Sequence, residues 1–75
     1  MVVIRLRRTG SKKKPFYQIV VTEKRNARNG KFIEKVGFFD PILKNKKYFL
    51  NRDRILYWKK NGAKLSKRVE KILSF

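Results

Sequence analysis

The apolar residues of this chain change their spacing at Asn51, and that change dictates the order of its secondary structure. Upstream they alternate with polar residues, the period of two that sends successive strand side chains to opposite faces; downstream they recur at intervals of three and four, the period of a helix. Strands followed by helices predict an α+β fold. The expected form is a mostly antiparallel four-stranded sheet with two short C-terminal helices packed on one face, in two layers, the other face being left to Arg and Lys.

Residues 2–8 open the sheet, with Val2, Ile4 and Leu6 on one side and Val3, Arg5 and Arg7 on the other. A basic turn over 9–14 follows, carrying Lys12, Lys13 and Lys14 up to Pro15, whose missing N–H suits the first residue of a strand. Residues 16–22 are aromatic and β-branched and predict a second strand, with Tyr17, Ile19 and Val21 facing inward. The polar segment 23–31 bends at Asn29-Gly30. A third strand is expected over 32–41, with Phe32, Val36 and Phe38 on one side and Ile33, Lys35 and Phe39 on the other. Gly37 marks a bulge or a close backbone approach, and Asp40-Pro41 ends the strand. After a polar bend at 44–47, Tyr48 to Leu50 is a candidate short fourth strand.

Asn51 is a good helix N-cap, Asp53 suits the positive end of the helix dipole, Lys59 and Lys60 suit its negative end, and Gly62 is a natural terminator. Ile55, Leu56 and Trp58 supply an apolar stripe. A second helix starts after Ser66 and presents Val69, Ile72 and Leu73. Helices this short are marginal alone, so both must pack on the sheet.

A chain of 75 residues predicts one small domain over 1–75, and a domain of this size buries only about 60–65% of the surface its unfolded chain exposes. Against that thin core stand 22 Lys and Arg and only five acids, a net charge of +17. Mutual repulsion on this scale opposes compaction, and exceeds the roughly +2 to +8 that solubility asks for. The expected partner is a polyanion. With no cysteine there is neither a disulfide nor a thiolate metal site to brace the core. No stretch approaches the roughly 18 apolar residues of a membrane span, and no lipidation motif is present, so an intracellular protein that binds nucleic acid rather than membrane is expected.

Histidine and cysteine are both absent, which removes the commonest general base, nucleophilic thiol and zinc ligands. The five acids, Glu23, Glu34, Asp40, Asp53 and Glu70, are better explained locally: Asp53 at a helix start, Asp40 at a turn, Glu34 as an ion-pair partner. No enzyme and no cofactor are expected. The positive signal is three basic surfaces. The first holds Arg5, Arg7, Arg8, Lys12, Lys13 and Lys14; the second is the loop with Lys24, Arg25, Asn26, Arg28, Asn29 and Lys31; the third runs along the helical part. Arginine forks bridge phosphates, and asparagine can reach a ribose hydroxyl or base edge. Phe16, Tyr17, Phe39 and Trp58 are expected in the core rather than against bases. Charge alone leaves an architectural DNA-binding protein as an alternative.

The segments MVVIRLRRTGSKKKPFYQIVV and RNARNGKFIEKVGFFDP closely resemble the small-subunit ribosomal protein sixteen family of bacteria and plastids, and DRILYWKKNGAKLSKRV looks like that family's helical segment. The resemblance runs from Met1 to about Leu73. It implies a monomeric component of the small ribosomal subunit that binds the 5′ domain of its RNA, touches neighbouring ribosomal proteins and helps the subunit assemble. The location implied is the bacterial cytoplasm, with the plastid stroma as alternative. The family's basic-strand pattern falls on Arg5, Arg7, Gly10, Lys12, Pro15 and Tyr17, its loop pattern on Arg25, Arg28, Asn29, Gly30 and Lys31, and its next strand on Ile33, Glu34, Gly37, Phe39 and Pro41. The cationic members are then expected to meet RNA, and Pro15, Tyr17, Gly37 and Pro41 to be structural. The link from Pro41 to the first helix is short for the family, and with the sequence ending at Phe75, contacts that a C-terminal tail makes in relatives are not expected here.

Overall fold

A computed structural model of the chain describes residues 1–10, 12–27, 30–40 and 48–73. The elements in order are β1 (Val2–Gly10), β2 (Pro15–Glu23), β3 (Glu34–Phe39), β4 (Tyr48–Leu50), α1 (Arg52–Lys60), β5 (Lys64–Leu65) and α2 (Lys67–Leu73). The expected sheet of four mostly antiparallel strands is corrected: five strands lie in the order β4-β3-β2-β1-β5, and β5 runs parallel to β1. Two residues between two helices carry no periodicity of their own. They become a strand because α1 ends where its chain can reach the free edge of β1, pairing Val3 with Lys64 and Ile4 with Leu65.

The hairpin of β1 and β2 is in register throughout, from Val2 opposite Glu23 to Gly10 opposite Pro15. One face of it carries Ile4, Ile19 and Val21, which are fully buried with Val36, Ile55, Ala63 and Val69 beneath the helices. Burying each large aliphatic side chain stabilises the fold by roughly 1.5–3 kcal/mol. Val2, Leu6, Leu50, Trp58 and Leu65 pack around that cluster. Leu56, expected in the stripe of α1, is instead 54% exposed. Ile55 and Trp58 take the inward side, and at 100° per residue Leu56 cannot share it with both. The side chain of Leu73 lies outside the described residues, as do Pro41 and the bend at 44–47.

A bulge in β3 decides which side chains reach the core. Ile19 pairs with Gly37 and Val20 with Lys35, so Val36 is the extra residue. The insertion shifts the phase of alternation by one. Val36 therefore joins the aliphatic core, whereas Phe38 lies on the opposite face, stacked on Phe16 and Phe49 with centroids 5.8 and 6.0 Å apart. Placing Val36 and Phe38 on one side, as strict alternation predicts, is thereby overturned. At Gly37 a Cβ would collide with the carbonyl oxygen of Phe49 in β4, so the position accepts only glycine without backbone movement. Phe32 and Ile33 precede the strand and are exposed.

Local chemistry closes both helices. Asn51 caps α1, its side-chain oxygen accepting from the Arg54 N–H, and Gly62, at φ +92°, ends it. The Gly62 N–H donates to Lys59 and the Ala63 N–H to Trp58, the paired bonds of a left-handed glycine terminus. Ser66 caps α2 through the Val69 N–H, and its own N–H donates to the Ile4 carbonyl at 2.9 Å. A bidentate ion pair joins sheet to helix: Arg54 Nε and Nη2 donate to the two Glu34 oxygens at 2.7 and 2.6 Å. These bonds from Arg54 hold the Glu34 carboxyl below the usual carboxylate range, with burial opposing in part. Arg54 also sits over the ring of Tyr57 at 4.4 Å. No helix among the described residues is long and apolar enough to cross a membrane.

Candidate nucleic-acid interface

The face of the sheet away from the helices, expected to be left to Arg and Lys, is covered over part of its area. The loop between β2 and β3 folds back over it, so that Val20 and Thr22, both on that face, are 1% exposed. Arg5 is the reason the loop stays down. Its Nη1 donates to the carbonyl of Lys24 at 3.2 Å, and its Nη2 to those of Asn26 at 2.6 Å and Ala27 at 3.1 Å. A guanidinium can satisfy three diverging carbonyls at once because its donors are held in a rigid fork.

Asn26 finishes the clamp. Its amide donates to Thr22 Oγ1 and to the Lys31 carbonyl, each at 3.3 Å, and the Thr22 hydroxyl donates to the same carbonyl at 3.2 Å. The Ile33 N–H donates to Val21 at 2.7 Å, and the Gly30 N–H to Ala27 at 2.9 Å. Arg7, next along the same face, donates to Gln18 Oε1 at 3.2 Å and lies 5.5 Å from the ring centre of Phe32. Backbone groups that a free loop would leave to water are thus bonded internally, which restricts its conformations before any partner arrives.

The candidate contacts therefore divide. Arg5 and Asn26 hold the loop to the sheet. Arg7 is engaged with Gln18 and Phe32, and Arg8 is exposed with a long bond, 3.4 Å, from Nη2 to the Lys12 carbonyl. Lys12, Lys13 and Lys14 stand exposed in the turn between β1 and β2, and Arg25 and Lys31 stand exposed on the pinned loop. Arg28 and Asn29 lie outside the described residues.

The aromatic expectation is only partly met: Phe16, Tyr17, Phe39 and Trp58 are half-buried, and the first three are stacked in pairs across the sheet rather than enclosed in the core. Two further cations join the picture. Lys67 and Arg68 open α2 beside Arg8 and Tyr17, a neighbourhood created by the pairing of β5 with β1. Basic residues in the helical part were visible in the sequence, but their position opposite the first hairpin was not. Among the described residues no group of three acidic or metal-ligating side chains converges.

A small sheet with cations displayed on a pinned loop has the build of a module for binding polyanions. The chain matches the family model described as Ribosomal protein S16 over residues 8–66. Two curated relatives carry the name small ribosomal subunit protein bS16. The one from Wigglesworthia glossinidia brevipalpis is 60% identical, covering 97% of this chain and 94% of the relative. Another, from Hamiltonella defensa subsp. Acyrthosiphon pisum (strain 5AT), is 59% identical over 97% of this chain and 87% of its own length. The chain belongs to the ribosomal protein S16 family, a family of ribosomal structural proteins and not of enzymes.

Proposed function

We propose that this protein works as a single monomeric domain over residues 1–75 of the small ribosomal subunit, in the bacterial cytoplasm. It binds the 5′ domain of the subunit's RNA, meets neighbouring ribosomal proteins and helps the subunit assemble. The observation that supports RNA recognition beyond charge is the Arg5 clamp, because it turns the loop into a rigid carrier for Arg25 and Lys31. A cation on a fixed scaffold loses less entropy on docking to a folded RNA than one on a loose segment. In this reading Lys12, Lys13, Lys14, Arg8, Arg25, Arg28, Asn29 and Lys31 meet the RNA directly, Arg7 does so beside Phe32, and Arg5 and Asn26 hold the surface in shape. The RNA also relieves the repulsion among the positive charges, so binding and folding reinforce each other.

The test is binding of the purified protein to a transcript of the 5′ domain, to an unrelated structured RNA and to duplex DNA, over a range of salt. If six to ten phosphates are engaged, affinity falls by ~10³ to 10⁵ between 50 and 200 mM salt. A preference for the ribosomal transcript that persists as salt rises is the expected result. Equal binding of all three ligands, weakening together, would leave only charge attraction and overturn the reading. Tighter binding to the duplex would favour an architectural DNA-binding role.

A further inference from the structure

We infer that the protein carries a second RNA site, on the helix-bearing side of the sheet, where Arg8, Lys67 and Arg68 take the sugar–phosphate backbone of a segment other than the one met by the loop. The inference rests on the RNA-binding reading above and adds a separate place on the molecule to it. The site is a cleft of about 510 Å³ between the far end of the first hairpin and the start of α2, walled by Leu6, Tyr17 and Ser66 and carrying Arg8, Lys67 and Arg68; Arg5 also lines it, but its guanidinium is bonded to the loop carbonyls. No acid lines it.

Three features make the cleft suited to a nucleic-acid backbone. Arg8 and Tyr17 are paired across β1 and β2, on the face that carries Leu6 and Ile19, so the cation stands beside the aromatic wall by register. The parallel pairing of Leu65 with Ile4, and the bond from Ser66 N–H to Ile4, then deliver Lys67 and Arg68 to the opposite wall. Finally, the Arg68 guanidinium lies 5.7 Å from the Tyr17 ring centre, and Tyr17 is stacked on Phe39 with centroids 6.3 Å apart. A cation–π contact restrains a guanidinium without using its five N–H donors, which stay available to phosphate oxygens. Leu6 and the Tyr17 ring offer the apolar surface on which a ribose can rest.

The loop and this cleft lie on opposite faces of one sheet. A single phosphate row cannot reach both without passing around an edge of the sheet, so the two sites grip different stretches of a folded RNA and hold them a sheet's thickness apart. An acidic protein segment would also find cations here, but it has no ribose for the apolar wall. The cleft is accordingly assigned to RNA.

The experiment is hydroxyl-radical footprinting and salt-dependent titration of the full chain on the 5′-domain transcript, comparing wild type with the Arg8→Ala/Arg68→Ala double variant, with Lys67→Ala and with Arg25→Ala. For the double variant the expected result is a salt slope smaller by about 1.8, two phosphates at roughly 0.9 each, and loss of protection in one RNA segment. The segment whose protection depends on Arg25 should remain protected. Lys67→Ala alters an exposed side chain; it should lose about half as much slope and the same protection, so the site stays testable even if the double variant folds poorly. A folded Lys67→Ala or double variant with unchanged slope and footprint overturns the second site. So does an unchanged footprint coupled to loss of a contact with a neighbouring ribosomal protein. Failure of the underlying RNA reading looks different: the wild type itself would show no preference for the transcript, and both sites would fall together.

Discussion

The two faces of the sheet are built by different chemistry. On the helix side, aliphatic side chains from β1, β2, β3, α1 and α2 meet in a core from which water is excluded. Across the sheet, Val20 and Thr22 are equally inaccessible, yet what covers them is a polar loop held by the Arg5 guanidinium and the Asn26 amide. Apolar packing is non-directional and tolerates small shifts, whereas hydrogen bonds fix positions. The first face thus supplies most of the stability and the second supplies geometry, which is what a surface for a folded RNA needs.

Truncation of the apolar core should have the largest effect. Ile4→Ala is expected to cost about 2–5 kcal/mol, read from urea denaturation, with RNA binding lost only in proportion to the unfolded fraction. Arg5→Lys should come next. The charge remains but the fork does not, leaving loop carbonyls unpaired at a cost of about 1–3 kcal/mol, and amide exchange at Lys24 to Ala27 should accelerate. Transcript affinity should fall although net charge is unchanged. If Arg5→Lys bound RNA as wild type does and left exchange unaltered, the clamp would have no role in recognition.

The Glu34–Arg54 pair gives a smaller, pH-dependent effect. Because the folded carboxyl titrates below its ordinary value of 4.5, its contribution is fully present above that value and lost as pH falls through the lower folded one. The stability difference between wild type and Glu34→Gln should therefore be largest near neutrality and shrink in acid, as urea midpoints at several pH values would reveal. A constant difference would contradict the assignment. Smallest in stability is Lys31→Ala. It should change folding by no more than about 0.5 kcal/mol while reducing the salt slope of RNA binding by about 0.9, which separates display from support on the loop face.

What the sequence disclosed and what it hid follow the same physics. Alternation and Pro15 marked the first hairpin because each residue there obeys a local rule, and Asn51, Gly62 and Ser66 marked helix ends through the bonds their own side chains or backbones allow. Gly37 was legible as a site of irregularity, but the phase of the bulge was not, since that depends on which residue of β2 it faces. β5 escaped because two residues have no period, and its partner lies at the other end of the chain. The role of Arg5 was hidden for a different reason: an arginine looks the same in sequence whether its donors meet phosphate or carbonyl oxygens. The cleft beside Arg68 followed from β5 and was hidden with it.

The parallel pairing of β5 with β1 also bears on the order of events during synthesis. Val2 to Gly10 leaves the ribosome well before Lys64 and Leu65, and one edge of that strand stays open until those residues have been added. A strand with an open edge can recruit other strands, and the basic residues interspersed along β1 oppose such pairing by repelling like chains. Its completing contact joins residues 61 apart in sequence, Val3 with Lys64 and Ile4 with Leu65, so the final sealing of the sheet waits on a distant and entropically costly encounter. Until then the sheet has one charged edge unprotected, and the late segment that carries Lys67 and Arg68 into place is the same one that closes it.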